Sequence, residues 1–242
     1  MSTRAVSIMA IEQWLLEEFR TTPFHNLFYL GLCRPSCALG GGTCSDKVLA
    51  FQARLRRLGV NARLHNARIN GQLCHRVLAL ALEDGVYFAD VGNGWPSIRL
   101  FPADREICYA AYGIVFQTHL REAYLDVYQI KQGRESLSLS IPLTLEPESA
   151  VKSAIARRFN GEISYPFRAG LRYAQVVADD FLFLKGHELR IFSQRAAVQT
   201  IRLASPASQL SALQSYFGLD LNACGLSDDG HKHRLSGVGN VS

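Results

Sequence analysis

The sequence has no long hydrophobic run. No stretch of about 18 consecutive apolar residues occurs in the 242 residues, so a transmembrane helix is not expected. The first ten residues, MSTRAVSIMA, have no long apolar core before a small-residue cleavage site, so a signal peptide is not expected either. We therefore predict a cytoplasmic protein that has no membrane partner.

A large excess of charge of one sign is also missing. Lys and Arg number 26 and Asp and Glu number 21, which gives a net charge of +5, and the excess is not gathered into a basic run. An excess of this size suits an anionic substrate, but an ordinary solvated surface is the more common cause. Nucleic-acid binding needs a basic patch interleaved with stacking aromatic residues, and the sequence contains none. We expect no nucleic-acid partner.

Cysteine is too sparse for a disulfide framework. Six cysteines in a chain of this length are typical of free thiols in a reducing compartment. Three of them lie close together, but a second ligand pair at zinc-site spacing is missing, so we expect no metal. The cysteines stand at positions 33, 37, 44, 74, 108 and 224.

The spacing of apolar residues predicts an α+β protein. A period near 3.6 predicts helices, and after Gly59 the period changes to two, which predicts antiparallel strands with tight turns such as Asn70–Gly71. Helices, then an antiparallel sheet, then a smaller mixed part is an α+β order. The predicted helices cover 8–20, 45–58, 148–159 and 206–217, and the predicted strands cover 74–82, 86–91, 107–117, 122–130, 135–140, 171–177, 181–184 and 188–192.

The glycine-rich segment LGGGTCSDK (39–47) contains the first candidate for chemistry. It places Cys44 at a helix start, where the positive end of the helix dipole favours the thiolate. The first backbone N–H groups of such a helix lack intrahelical partners and can hold a developing oxyanion. Gly42, Thr43 and Ser45 are therefore candidate oxyanion or substrate contacts. Taken alone, the segment fits a small buried cysteine in a glycine-rich turn equally well.

Two later residues complete a possible catalytic set. His75 begins an apolar strand and Asp90 ends the next one, so each needs a polar partner. Each residue taken alone has a structural explanation. His75 fits a buried histidine whose hydrogen bonds are satisfied within the core, and Asp90 fits a residue that caps the end of a strand. Together with Cys44 they supply a nucleophile, a base and a residue that orients the base. Gly92 and Asn93 follow in a loop that we expect to shape the wall of the site, because no helix follows it as a dinucleotide motif would require.

The hairpin between His75 and Asp90 does not fit simple pairing. If these two residues lay directly opposite each other, the turn would be centred between residues 82 and 83. The turn-forming residues are instead Glu83-Asp84-Gly85. We therefore expect a β-bulge or a wider loop to make up the difference.

Several segments resemble the arylamine N-acetyltransferase family in order and spacing. The resemblance covers about residues 8–222, is specific in the first hundred residues and is loose between 105 and 170. Besides the three glycines before Cys44, the matching segments are TPFHNL (22–27), RLGV (57–60), CHRVLAL (74–80), FADVGNG (88–94), LKGHELRI (184–191) and YFGLDL (216–221).

The resemblance implies a papain-like α+β fold in three parts. These would be a helical lobe with the nucleophile (1–72), an antiparallel β-barrel lobe with the histidine and the aspartate (73–147), and an α/β lid (148–226). The polar residues that follow predict a flexible tail at 227–242.

The resemblance also implies an activity. By matching positions, Cys44 would be the nucleophile, His75 the base and Asp90 the third member of a triad that passes an acetyl group from acetyl-coenzyme A to a small-molecule amine by a ping-pong route. No permanently bound cofactor is implied, since the acyl thioester is a substrate. Some relatives are amide synthases of natural-product pathways that take longer acyl groups from carrier proteins, so an acyl carrier protein is an alternative donor.

The chain departs from the family pattern near the site. Leu39, Thr43 and Asp46 stand where the family usually has an arginine, an aromatic residue and a glutamate. His25 replaces a glutamate, and Asn93 replaces a phenylalanine that lines the acceptor pocket. Because hydrogen-bonding groups replace stackable surface at Thr43 and Asn93, we expect the acceptor not to be a simple small arylamine.

Two other functions remain open at this level. The segment GGTCSDK (41–47) also resembles the nucleophile segment of bacterial transglutaminase-like proteins, so a transglutaminase-like or papain-like hydrolase is an alternative. It would cleave peptide amides without a thioester donor. A non-catalytic scaffold is a further alternative, against which the retention of all three triad residue types argues.

Overall fold

The computed structural model describes residues 6–33, 39–158, 167 and 170–226. The predicted tail at 227–242 and Cys37 lie outside these residues. The helices of the described part are α1 (Ile8–Thr21), α2 (Cys44–Arg57), α3 (Glu148–Ala156) and α4 (Pro206–Phe217). Its strands are β1 (Phe24–His25), β2 (Ala62–Ile69), β3 (Gln72–Leu82), β4 (Gly85–Ala89), β5 (Phe101–Pro102), β6 (Cys108–Ala111), β7 (Ile114–Leu120), β8 (Tyr124–Lys131), β9 (Arg134–Pro142), β10 (Arg172–Val177), β11 (Asp180–Lys185), β12 (Glu188–Ser193) and β13 (Gln199–Arg202).

Two antiparallel sheets organise the molecule. The larger sheet has eight strands in the order β5-β4-β3-β2-β9-β8-β7-β6, and the smaller has five in the order β1-β10-β11-β12-β13. The α+β prediction is thus confirmed. The predicted limit of the first lobe at residue 72 includes β2, yet β2 pairs with β3 along most of its length and belongs to the larger sheet. The division into three lobes stays a prediction.

Most predicted elements are present, and the differences involve short strands and turns. Helix α4 has the predicted limits, whereas the predicted strand at 107–117 is wrong as a single element. It consists of two strands, β6 and β7, joined by a turn at Tyr112–Gly113. The first turn residue is a tyrosine, which is not a typical turn former, so the sequence did not mark the turn. Three further strands were missed because they are short, namely β1, β5 and β13. Strand β2 lies in the segment between Gly59 and the Asn70–Gly71 turn, where the period of two was recognised but no strand limits were predicted.

Helix α2 begins at Cys44 because its first turn is capped. The carboxylate of Asp46 accepts hydrogen bonds from the backbone N–H of Thr43 at 3.0 Å and from its hydroxyl at 2.9 Å. The other oxygen of Asp46 pairs with Arg158 Nη2 at 2.9 Å. A carboxylate in the first turn also suits the helix dipole. Asp46 and Thr43 therefore fix the helix start that carries the cysteine.

Strand β1 holds the glycine-rich loop beside α2. The backbone N–H of His25 donates to Gly42 O at 3.0 Å. The His25 ring is fully buried, and its Nδ1 accepts from the backbone N–H of Leu27 at 3.3 Å. Because Nδ1 is the acceptor, the proton lies on Nε2, which donates to Gly40 O at 3.3 Å. The histidine that replaces a glutamate of the family pattern thus ties β1 to the loop.

Burial keeps His25 neutral. It lowers the pKa of His25 to about 4, against the hydrogen bond to Gly40, and the charge of Lys47 lowers the pKa further. The unfolded chain therefore binds this proton more readily between about pH 6.5 and pH 4, so the free energy of unfolding falls as pH falls through that window. The contribution of neutral His25 to stability is complete above about pH 6.5.

We expect the protein to lose about 1–2 kcal/mol more stability than its His25→Gln variant when the pH falls from about 7 to about 5. Urea unfolding of both proteins at the two pH values measures this difference. His65, whose pKa burial also lowers, contributes equally to both proteins and cancels. An identical pH dependence in the two proteins would contradict the assignment.

Candidate active site

The three predicted catalytic residues lie together. Cys44 is the first residue of α2, His75 lies on β3, and Asp90 directly follows β4. Nε2 of His75 lies 2.8 Å from Asp90 Oδ1, and His75 lies close enough to the Cys44 thiol to lower its pKa. Sγ of Cys44 itself donates to the backbone oxygen of Cys74 at 4.0 Å. All three are buried, with exposed fractions of 3%, 1% and 0%.

The register of the hairpin explains how His75 reaches Asp90. Strands β3 and β4 pair regularly from Leu78 opposite Ala89 to Leu82 opposite Gly85, around a two-residue turn. Continued by one residue, this register sets Asp90 opposite Val77, so His75 and Asp90 are diagonal neighbours, about 7–8 Å apart along the backbone. The expectation of a bulge or a wider loop was wrong, because the side chains and not the backbone span the offset.

The contact with Asp90 decides the protonation of the histidine. A carboxylate only accepts, so Nε2 carries the proton and Nδ1 is the nitrogen left for the thiol. Burial lowers the pKa of His75, but the charge and hydrogen bond of Asp90 more than offset it and raise the pKa above its ordinary value. Burial likewise raises the pKa of Cys44, and the hydrogen bond and charge of His75 reverse this and lower it. A thiolate–imidazolium pair is therefore favoured.

Arg76 is a buried cation that sequence reasoning missed. Its side chain is 1% exposed, and Nη1 donates to the backbone oxygen of His75 at 2.7 Å. In the described part of the chain it forms no ion pair, and its charge adds to the lowering of the Cys44 pKa. No signal in the sequence marks it, because an arginine at this strand position is also compatible with an exposed face.

The cysteine faces a cavity with an empty volume of about 830 Å³, part of it open to solvent. Of the five predicted contacts, Gly92 and Asn93 line this cavity, and Asn93 Nδ2 donates to Ser138 Oγ at 2.8 Å. Aromatic, hydroxyl, amide and cationic side chains from both sheets make up most of the remaining lining. The described lining residues are Phe24, Cys44, Ile69, Asn70, Cys74, His75, Gly92, Asn93, Trp95, Gln129, Lys131, Ser136, Leu137, Ser138, Phe167, Arg172 and Phe183.

Gly42, Thr43 and Ser45 do not line this cavity. Thr43 is the N-cap of α2, and Ser45 is buried next to Cys44, whose pKa it helps to lower. Gly42 has φ of 128°, and a Cβ there would lie 2.7 Å from Asp46 Oδ2, so glycine is required for the cap to close. The role of these three in holding an oxyanion stays a prediction that rests on the N–H groups of the helix start.

Only one of the two residues expected to change the acceptor surface faces the cavity. Thr43 does not face the cavity, so only Asn93 replaces stackable surface there. Four aromatic side chains remain in the lining, those of Phe24, Trp95, Phe167 and Phe183. The cavity therefore combines a surface for an aromatic ring with polar groups.

Two negative findings concern the described residues alone. No helix among them is long and apolar enough to cross a membrane. Within the same residues, no group of three or more His, Cys, Asp or Glu side chains has an arrangement that could hold a metal ion.

The loop after Asp90 packs directly on Cys44. A Cβ at Gly92 would lie 2.6 Å from the Cα of Cys44, which is closer than side chains tolerate. We expect Gly92→Ala to displace Cys44 from His75 and to slow its alkylation by iodoacetamide at least tenfold, because the thiolate loses its partner. The matched control is Gly40→Ala in the glycine-rich loop, where a Cβ has no heavy atom within 4 Å. Equal alkylation rates for the two variants would contradict this account, provided that circular dichroism shows both to be folded.

Comparisons with known proteins concern the fold and the family of the chain. A comparison with curated proteins found no match. The arylamine N-acetyltransferase of Mycobacterium smegmatis has a similar structure, with a TM-score of 0.80 at 18% identity over 100% of this chain and 96% of that one. The Mycobacterium marinum enzyme in complex with CoA gives 0.79 at 18% identity, covering 97% and 94% of the two chains. The Salmonella typhimurium enzyme gives 0.73 at 21% identity, covering 96% and 91%.

These structures show that the fold is shared, and a family model establishes membership. The model, described as N-acetyltransferase, matches residues 39–225, which is most of the chain and contains all three candidate catalytic residues. The resemblance inferred from the sequence is thereby confirmed. The chain belongs to the arylamine N-acetyltransferase family and is an N-acyltransferase.

Proposed function

We propose that this enzyme transfers an acetyl or other acyl group from a thioester donor to a small-molecule amine through a thioester on Cys44. The observation that carries the proposal is the buried contact of Cys44 with His75 and of His75 with Asp90 at one wall of the cavity. A thiolate is both a good nucleophile and a good leaving group, so it divides acyl transfer into two easier steps.

In the first step the Cys44 thiolate attacks the carbonyl carbon of the donor thioester. The bond between that carbon and the donor sulfur breaks, a new bond to Cys44 Sγ forms, and the donor leaves as a thiol with the proton of the His75 imidazolium. The backbone N–H groups of Cys44 and Ser45 at the start of α2 are proposed to stabilise the oxyanion between these events.

In the second step the amine nitrogen attacks the acyl carbon. The bond to Cys44 Sγ breaks, an amide forms, and neutral His75 takes one proton from the amine, which restores the thiolate–imidazolium pair. Asp90 keeps the ring in one tautomer and stabilises the imidazolium in both steps. Each step balances without a metal or a redox partner.

The proposed donor is acetyl-coenzyme A. The Mycobacterium marinum enzyme with the same fold has been solved in complex with CoA, which supports a coenzyme A thioester as the donor here. An acyl carrier protein is the alternative carrier of the same thioester chemistry. Family membership argues against the hydrolase and the scaffold.

We expect incubation with acetyl-CoA to add one acetyl group to the protein, as intact-mass spectrometry measures. Cys44→Ala should abolish the adduct. His75→Ala, which removes the base, and Asp90→Asn, which removes the group that orients the base, should each slow adduct formation by several orders of magnitude. Cys74→Ala is the matched control, since Cys74 lines the same cavity but burial raises its pKa. An adduct on Cys74, or a normal adduct in Cys44→Ala, would disprove the assignment.

Steady-state kinetics test the order of the steps. When the donor thiol is released before the acceptor binds, and the acyl group stays on the enzyme as a covalent intermediate, double-reciprocal plots give parallel lines, the ping-pong pattern. We expect this pattern with acetyl-CoA and any amine that the enzyme accepts. Intersecting lines indicate a ternary complex and would exclude the two-step route.

A further inference from the structure

One wall of the cavity carries two hydrogen-bond donors that the proposed mechanism does not use. Gln129 and Lys131 are two residues apart near the end of β8, so their side chains extend from the same face of the sheet. Both line the cavity that contains Cys44 and His75.

Lys131 is a partly buried cation held at a fixed position. Its Nζ lies 3.8 Å from the centroid of the Trp95 ring and donates to Gln129 Oε1 at 2.8 Å. Burial and the nearby charge of Arg190 lower the pKa of Lys131 to about 8, so the environment works against the charged form. In the described part of the chain Lys131 forms no ion pair with a carboxylate. An anionic ligand would stabilise the charged form of an ammonium group in this position more than a neutral ligand would.

Gln129 presents a second donor, and the contact with Lys131 fixes its orientation. An ammonium group only donates, so the amide oxygen must face Lys131 and Nε2 must point away from it. Gln129 is 1% exposed, and within the described residues its buried Nε2 has no hydrogen-bond partner. A buried donor without a partner is uncommon in a folded protein and calls for an acceptor that the free structure lacks.

The rest of the cavity favours the same ligand chemistry. No aspartate or glutamate occurs among its described lining residues, while Arg172 adds a second cationic side chain to the lining. Trp95 lies next to Lys131, Phe183 packs on Trp95 with ring centroids 4.6 Å apart, and both aromatic side chains line the same cavity. A planar ring with an anionic substituent matches this combination of surfaces.

We propose that Lys131 and Gln129 bind the carboxylate of the acceptor, so that the enzyme prefers aromatic amines that carry a carboxylate. One oxygen accepts from Lys131 Nζ and the other from Gln129 Nε2, while the amine points toward the thioester on Cys44. This inference rests on the proposed function, since it names the acceptor class of the same site. The phosphates of the donor are a second source of anionic groups, and the experiment separates the two.

The test begins from an acetyl-enzyme that is prepared without a natural donor, so that donor binding does not affect the result. Para-nitrophenyl acetate acetylates a reactive cysteine directly, and mass spectrometry then follows the loss of the acetyl group on addition of para-aminobenzoate or of para-aminobenzamide. The two acceptors differ in charge but hardly in shape. At subsaturating concentrations we expect para-aminobenzoate to react at least about tenfold faster with the wild-type acetyl-enzyme.

Variants locate the source of this preference. Lys131→Met should abolish it while keeping an apolar stem on Trp95, and Lys131→Arg should keep most of it. Gln129→Leu should reduce it, because one of the two donors is lost. The matched control is Lys152→Met on the exposed face of α3, which should retain the full preference. Equal rates for both acceptors with the wild type, or an unchanged preference in Lys131→Met, would overturn the proposal.

A second arm examines the donor. Acetylation by acetyl-CoA is compared with acetylation by the acetyl thioester of N-acetylcysteamine, which has no phosphate. If Lys131→Met slows only the reaction with acetyl-CoA and leaves the acceptor preference intact, Lys131 serves the donor and the proposal is wrong. A third outcome separates the two proposals. If neither thioester acetylates Cys44, but enzyme acetylated by para-nitrophenyl acetate still prefers para-aminobenzoate, the proposed thioester donor is wrong and the carboxylate site is supported.

Binding without catalysis gives an independent measurement. Titration of Cys44→Ala protein with each compound, followed by calorimetry, should show tighter binding of para-aminobenzoate by about tenfold, and the added Lys131→Met substitution should remove the difference. Equal affinities for the two compounds would refute the carboxylate site even if the enzyme proved unreactive toward every donor.

Discussion

The contact between His75 and Asp90 determines the chemistry of the site. A carboxylate with no exposure to solvent needs a cationic or strongly hydrogen-bonding partner, and His75 is that partner at 2.8 Å. The resulting imidazolium then stabilises a thiolate at Cys44, which burial alone would make less acidic. Arg76 strengthens the same effect from the backbone side of His75. One buried negative charge thus favours, through His75, the thiolate form of Cys44.

Three separate elements must meet for this chain of contacts to form. The capped start of α2 fixes Cys44, the regular pairing of β3 with β4 fixes His75, and the loop after β4 carries Asp90 and Gly92. Gly92 lets that loop lie against the backbone of the cysteine, since any side chain at this position would meet Cys44. The geometry of the site is therefore a property of backbone packing as much as of the three side chains.

The sequence was informative where chemistry or periodicity is local. The apolar stripes of α2 and α4, the triad residue types and the family resemblance could all be predicted from it. The diagonal contact of His75 with Asp90 could not, because pairing rules describe backbones and not the reach of side chains. The orientation of Thr43 away from the cavity depends on its bond to Asp46, which occupies its hydroxyl. The position of Lys131 in the cavity could not be predicted either, because it depends on the packing of β8 next to Trp95.

The ion pair between Asp46 and Arg158 has a consequence for synthesis of the chain. Asp46 closes the helix start that carries Cys44, and its partner lies 112 positions later in the chain. Strand β1, which precedes the glycine-rich loop, likewise pairs with β10, with Phe24 opposite Ala174. On the ribosome, the first half of the chain therefore emerges with its cysteine in an unfinished setting. Until those later residues are translated, Asp46 has no Arg158 to pair with and β1 has no β10, so the helix start and the edge of the smaller sheet are completed late in synthesis.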